Sequence, residues 1–429
     1  MSGRGLSAGD RASLLGRLRG AAAPAVAPAP ASARDFATLP AARELAQARE
    51  LGSRFGLANP YFQAHAGVAG GRTRIGAREL INFASYNYLG LNGDPRVNAA
   101  AAAAMREHGT SVSASRFVSG ERPVHGRLEA ALAANYAAEA ALVMVSGHAT
   151  NVSVIGHLLG PDDLVVHDQL VHNSCAEGVR LSGARRLAFP HNDWAAATRL
   201  LGEARGRHRR ALLLIEGHYS MDGTVPELAR FRDAARAHDA WLMVDEAHAL
   251  GCLGATGRGS FEAQGMAPDG VDIWMGTLSK TLAGCGGYIA GCRTLVDMLR
   301  HTVPGFVYSV GLAPPLAAAA EAALGIMQAE PWRVRRLQAN GARFRDAARA
   351  AGFDTGASVG AAIVPVILGE SLLAVRVAAE LLAAGVNVQP IAFPVVPEGQ
   401  ARLRFFLSAD HTEAELDATV AALRDAVAR

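Results

Sequence analysis

A single lysine, Lys280, stands in a chain of 429 residues whose other basic side chains, histidine aside, are all arginine. Arginine replaces lysine wherever a fixed positive charge is enough, but a guanidinium does not deprotonate and attack a carbonyl carbon. A lone primary amine is therefore a candidate Schiff-base former. A GC-rich coding sequence would explain why lysine is scarce, though not where the survivor stands. Lys280 closes the run Gly276-Thr-Leu-Ser-Lys280, directly after the apolar run 271–275, and open α/β sheets gather their chemistry at strand carboxyl ends.

Two further segments have the same placement. Gly217-His-Tyr-Ser-Met-Asp-Gly223 follows one apolar strand, and Val244-Asp-Glu-Ala-His248 ends the next. One crevice could then gather Ser220, Asp245, His248, Thr277 and Lys280. An amine in such company suits pyridoxal 5'-phosphate (PLP). That cofactor needs a carboxylate at its ring nitrogen, so that the ring can take up carbanion charge. Asp245 is the candidate. It also needs a donor at its phenolate oxygen, for which His248 and Ser220 both qualify. Its phosphate needs backbone N–H groups at a helix start together with hydroxyls. Ser146-Gly-His-Ala-Thr-Asn151 opens a helix after a strand, and Thr277 and Ser279 could add hydroxyl contacts.

These residues need a scaffold, and composition bounds it. Half the residues are apolar, enough for a large core without disulfide or metal staples. A net charge of +3, with 39 acidic residues interleaved among the basic ones, argues against a nucleic-acid partner. No apolar run approaches the ~18 residues of a membrane span. The four cysteines form no CxxC pair and read as free thiols of a reducing, cytoplasmic setting. The histidines form no metal-ligand spacing, so no metal is expected. From about residue 93, apolar strands at 141–145, 164–167, 211–216, 241–245, 273–276 and 287–290 alternate with helices at 95–108, 125–137, 147–159, 192–205, 227–238 and 312–328. Continuous apolar strands between helices predict an α/β fold with a mostly parallel central sheet covered on both faces. Beyond residue 330, helices at 331–351, 371–384 and 412–428 around strands 362–368 and 402–407 predict a smaller α+β domain. The expected divisions are 1–45, 46–92 as an N-terminal arm, 93–310 as the large PLP-binding domain and 311–429 as the small one. Within 1–45, a capping-box-like Ser7-Ala-Gly-Asp10 precedes a short helix, and an Ala/Pro tract at 21–33 forms a linker. This segment reads as a disordered tail, a docking helix for a synthase or carrier protein, or an arginine-rich transit peptide.

The combination of motifs resembles the α-oxoamine synthase family of fold-type-I PLP-dependent enzymes, from about residue 80 to the end. Beyond the three strand-end segments, it rests on Asn82-Phe-Ala-Ser-Tyr-Asn-Tyr-Leu-Gly90, Ser119-Gly-Glu-Arg-Pro-Val-His125 and Gly257-Arg-Gly259. The resemblance implies roles. Lys280 would hold PLP and move the substrate's Cα proton, Asp245 would pair with the ring nitrogen, and His248 and Ser220 would touch the phenolate side. His172, in Asp168-Gln-Leu-Val-His172, would stack on the ring, the plainer alternative being a surface histidine at a helix start. Gly147 and His148 would meet the ring edge and phosphate. Arg404 would bind the amino-acid carboxylate, unless it is an ordinary strand arginine. Tyr88 is expected among the substrate-binding residues, and Ser309 is expected at the phosphate of a neighbouring subunit in a homodimer with shared active sites.

The implied reaction is a decarboxylative condensation. A small amino acid (glycine, alanine or serine) attacks an acyl thioester of coenzyme A or a carrier protein, giving an α-amino ketone and carbon dioxide. Two alternatives stay open: a 2-amino-3-ketobutyrate ligase reaction without decarboxylation, and a non-catalytic partner subunit, which would be expected to lose its lysine. His148 replaces the Phe or Tyr usual in the family. Ala392 stands where oxononanoate synthases carry an arginine for a dicarboxylic acyl chain, which argues against a pimeloyl substrate. Ser85-Tyr-Asn-Tyr88 is similar to serine palmitoyltransferases. Ser111–Arg116, 282–288 and 304–309 are most similar to synthase domains attached to polyketide assembly lines.

Overall fold

A computed structural model describes residues 34–54 and 59–429. The expected capping box at Ser7, the short helix after it and the Ala/Pro linker lie outside the described residues. The chain divides into two compact units, 1–59 and 60–429. In the first, a 3-10 turn at Phe36–Thr38 precedes a helix at Pro40–Arg54, and Asp35 caps the turn by accepting from the Ala37 amide at 2.9 Å.

The second unit opens with three antiparallel strands, β1 (His65–Ala66), β2 (Arg72–Ile75) and β3 (Arg78–Asn82). Then come β4 (Ala140–Met144), β5 (Leu164–Asp168), β6 (Arg185–Phe189), β7 (Ala211–Glu216), β8 (Trp241–Asp245), β9 (Ile273–Thr277) and β10 (Gly287–Gly291). Among the described residues these seven form one sheet in the order β4-β10-β9-β8-β7-β5-β6, parallel except where β10 runs against both neighbours. The reason is visible in β7: all six of its residues are buried. Leu213 and Ile215 enter the core on one face of the sheet, and Leu212 and Leu214 enter the core on the other. A strand buried on both sides has no polar positions to alternate. Helices therefore cover both faces, and the expected mostly parallel central sheet is present.

β6 escapes the apolar-run criterion because it is an edge strand. Arg185 and Arg186 are exposed there, as edges that resist further pairing often are. The helix at Asn173–Ser182 is foreshadowed only by the helix-start alternative for His172, and the helix at Arg293–Thr302 has no counterpart among the expected helices. Those at Pro95–His108, Pro123–Asn135 and Pro314–Ala329 each begin with proline, whose fixed φ and missing N–H suit the first helical turn.

The C-terminal part adds β11 (Ile363–Gly369), β12 (Val386–Asn387), β13 (Gln389–Ile391) and β14 (Ala401–Phe406). β11, β14 and β13 form an antiparallel sheet, while β12 joins β3 in parallel. β3 and the residues just after it are thus stitched to the C-terminal strands. The Phe83 amide donates to Asn387 O at 2.8 Å, and the Phe406 amide donates to Phe83 O at 2.9 Å. That stitching fixes where residues 85–88 go. No helix among the described residues is long and apolar enough to cross a membrane.

Candidate active site

The parallel strands β7, β8 and β9 end side by side. Glu216 lies opposite Asp245, and Asp245 lies opposite Met275 in the sheet register. This brings the three sequence segments to one edge, as their strand-end positions require.

Asp245 is buried at 4% exposure. Its Oδ2 accepts from Asn151 Nδ2 at 2.8 Å and its Oδ1 accepts from the Ala247 amide at 2.9 Å. No cationic side chain lies within salt-bridge distance of it among the described residues. A buried carboxylate is stabilised by a cationic partner, and a protonated ring nitrogen would supply one. Asn151 spends its other amide hydrogen on Ser174 Oγ at 3.0 Å. The Ser174 amide donates to His172 Nδ1 at 3.3 Å, which makes that nitrogen an acceptor, so the Ser174 hydroxyl, 2.7 Å away, donates to it as well. His172 therefore carries its proton on Nε2. It caps the helix Asn173–Ser182 and is itself exposed, as the helix-start alternative expects, while its neighbours Ser174 and Asn151 are buried. Burial lowers the His172 pKa.

Glu216, unforeseen as a site residue, lies beneath His172 and accepts from its backbone amide at 2.6 Å. Burial pushes its carboxyl well above the ordinary value, and Asp245 adds to the rise. A neutral carboxyl here removes one like charge from beside Asp245.

Lys280 Nζ lies 5.6 Å from the centroid of the Tyr86 ring. Burial lowers its pKa, and the nearby Asp245 and Glu216 oppose that shift. Its loop is held by Thr277, whose hydroxyl donates to Gly286 O at 2.9 Å and lies 2.7 Å from Ser279 Oγ. The helix Gly147–Leu158 starts against this loop, with Ser146 as its cap. A Cβ on Gly147 would fall 2.8 Å from Thr277 Oγ1, so glycine is required where the helix start meets the lysine loop. His148 is exposed beside it, its ring 6.3 Å from that of His172 and edge-on to it.

His248 stacks on Phe406 at 6.2 Å, and its Nδ1 lies 2.7 Å from the Tyr88 hydroxyl. Tyr88 is wholly buried, while Tyr86 lines a cavity of about 460 Å³ with Ser85, Ser279, Lys280 and Gln389. Arg404, on β14, donates from Nη1 to Ser220 O at 3.2 Å and lies 4.5 Å over the Phe406 ring. Its Nε is buried without a partner, whereas Arg402, two residues earlier, is paired with Asp222. Ser309 is not drawn into this cluster: its hydroxyl donates to Val310 O at 3.2 Å, between the exposed Tyr308 and Val310. A larger cavity of about 640 Å³ lies where the parallel strands begin, around Trp241, Leu295 and Met298, far from Lys280.

The donor set fits PLP: a buried carboxylate without a cation, a primary amine of lowered basicity, an imidazole with a fixed N–H, and a helix start. Comparison with known proteins agrees. Residues 78–423 match the family "Aminotransferase class I and II". The 8-amino-7-oxononanoate synthase of Geobacter sulfurreducens is 42% identical over 384 residues, 89% of this chain and 96% of that one. The serine palmitoyltransferase structure from Sphingomonas wittichii is 29% identical with a TM-score of 0.86, covering 91% of this chain and 98% of that one. A high-resolution serine palmitoyltransferase structure with PLP as an internal aldimine is 28% identical with a TM-score of 0.86, covering 92% and 98%. The chain therefore belongs to the aminotransferase class I and II family and, within it, to the α-oxoamine synthases, which are PLP-dependent acyltransferases.

Proposed function

We propose that this acyltransferase joins a small amino acid, glycine, alanine or serine, to an acyl thioester of coenzyme A or a carrier protein, releasing carbon dioxide and leaving an α-amino ketone. The observation that carries the reading is Arg404. It is a largely buried guanidinium with no carboxylate partner among the described residues and an orphaned Nε, close enough to Lys280 to depress its pKa. Leaving such a group unpaired is costly, and a substrate carboxylate would satisfy it bidentately.

PLP, when bound, supplies an electron sink for the charge left at Cα. Lys280 would hold it and carry the Cα proton, burial lowering the basicity of its amine. Asp245, pinned by Asn151 and the Ala247 amide, would face the ring nitrogen. Gly147, His148, Thr277 and Ser279 would meet the phosphate end, and Ser220 and His248 the phenolate side. The fixed Nε2–H of His172 is a donor suited to the oxygen that gains charge when the thioester is attacked. Ala392 carries no charge for the far end of a dicarboxylic acyl chain, which supports an acyl group other than pimeloyl.

We also propose a homodimer. The segments around Phe117 and Tyr308 adjoin, since Ser115 Oγ donates to Val307 O at 2.6 Å. Together they expose Phe117, Val118, Tyr308 and Val310 on either side of Ser309. An apolar patch of this kind supports a self-complementary interface that would present Ser309 to the second copy. The unpaired cysteines support a cytoplasmic setting.

The test is to titrate PLP-loaded protein with each amino acid, following the visible spectrum. Acyl thioesters of varied length on coenzyme A or a carrier protein are then added, and thiol and carbon dioxide release are measured. Stoichiometric release of both is expected. Thioester consumption without carbon dioxide would overturn the reading in favour of the ligase reaction.

A further inference from the structure

The wholly buried Tyr88 has a single hydrogen-bond partner for its hydroxyl among the described residues, His248 Nδ1 at 2.7 Å. A buried phenol gives its hydrogen to some acceptor, and here there is one acceptor to receive it. Burial holds that hydroxyl well above the usual tyrosine range, so the proton stays on it. The imidazole is neutral as well. The titratable groups around it are Lys280, His218, Arg404 and His172, and each adds to the effect of burial in disfavouring a second proton. A neutral imidazole whose Nδ1 accepts must carry its hydrogen on Nε2. Nε2 has no protein partner among the described residues.

We infer that Tyr88 is a positioning residue that locks His248 in the Nε2–H tautomer, making its free edge an obligate donor toward the cofactor's phenolate oxygen. Tyr88 then acts through His248 and touches neither cofactor nor substrate. Phe406 fixes the plane of the imidazole from one side, with its ring within 10° of parallel, and Tyr86 packs edge-on at 5.9 Å. The imidazole is thus held in orientation by ring contacts and in protonation by one hydroxyl. The part of this that concerns the cofactor rests on PLP binding at Lys280, whereas the tautomer itself does not.

The two parts are tested separately. Cofactor-free protein labelled with ¹⁵N-histidine gives ring-nitrogen signals, and His248 is identified by its loss in His248→Asn. An unprotonated Nδ1 and a protonated Nε2, constant between about pH 6 and about pH 9, are expected; a proton on Nδ1 overturns the inference without touching the PLP reading. In loaded protein, Tyr88→Phe keeps the packing and removes the hydroxyl. A phenolate that loses its donor becomes more basic, so the pH midpoint of the cofactor's visible absorption should rise and PLP affinity should fall about tenfold. Placing Tyr88→Phe on His248→Asn should add nothing further. An unshifted midpoint in Tyr88→Phe, or losses that simply add in the double variant, overturn it. If Tyr88→Phe does not fold, the wild-type nitrogen spectrum still decides.

Discussion

Asn151 donates its two amide hydrogens to Asp245 and Ser174, at 2.8 and 3.0 Å, and so couples the carboxylate to the histidine His172. One residue on the first helix after β4 thereby orients Asp245 and the Ser174 hydroxyl that meets His172. Its own Oδ1 is buried without a partner, so the amide is oriented by its donors alone.

Asn151→Ala should therefore weaken PLP binding. A hydrogen bond to a charged group contributes about 1.5–3 kcal/mol, corresponding to roughly 10- to 100-fold in affinity. Asn151→Asp should be worse, because it sets a second carboxylate against Asp245. Spectrophotometric titration of cofactor-free variants with PLP measures both. Wild-type affinity in Asn151→Ala would show that Asp245 is held by its strand alone.

Lys280→Arg preserves charge and approximate bulk but removes the nucleophilic amine. Borohydride treatment of the PLP-loaded wild type should fix the cofactor covalently on the peptide containing Lys280, and the variant should show neither labelling nor turnover. Because burial lowers the lysine's pKa, formation of the linkage from cofactor-free protein and PLP should persist to a lower pH than with a free lysine side chain. Peptide mass mapping across a pH series reads out both effects.

Arg404→Ala should raise the KM for the amino acid by roughly 30-fold or more, since truncating one partner of a buried, hydrogen-bonded charge pair costs about 2–5 kcal/mol. Arg404→Lys should recover little of this, because an ammonium lacks the planar fork. KM for the acyl thioester should move far less. An equal rise in both would place Arg404 outside the carboxylate site.

Acid should destabilise the fold through buried histidines. His411 accepts from the Ser408 amide and donates to Asn82 O, packed on Phe83, and burial depresses its pKa from 6.5 to about 4. His218 behaves alike, also depressed to about 4. In both, the folded value lies below the unfolded one. The stability is whole above about pH 6.5 and is lost as pH falls toward about 4, on the order of 3 kcal/mol per group. Urea midpoints measured across that window should fall steeply in the wild type and less steeply in His411→Asn. Parallel slopes would assign the acid lability to other groups.

Much of the proposed site was legible in the chain because its chemistry requires particular residue types at particular strand ends. Only a lysine forms a Schiff base, and Lys280 has no substitute in the sequence. Asp245 and Ser220 follow apolar runs that had to be buried strands. What stayed hidden depends on which strands become neighbours. Glu216 read as the end of an apolar run, yet the pairing of β7 with β8 sets it opposite Asp245. Asn151 read as an ordinary helix residue until the packing of two helices brought it to Ser174 and Asp245. Tyr88 lay in a motif whose sequence said nothing of His248, 160 residues away. Local chemistry and periodicity determine which groups are available and where elements begin. Long-range register and packing determine which hydrogen goes to which acceptor, and that is decided only when distant segments close on one another.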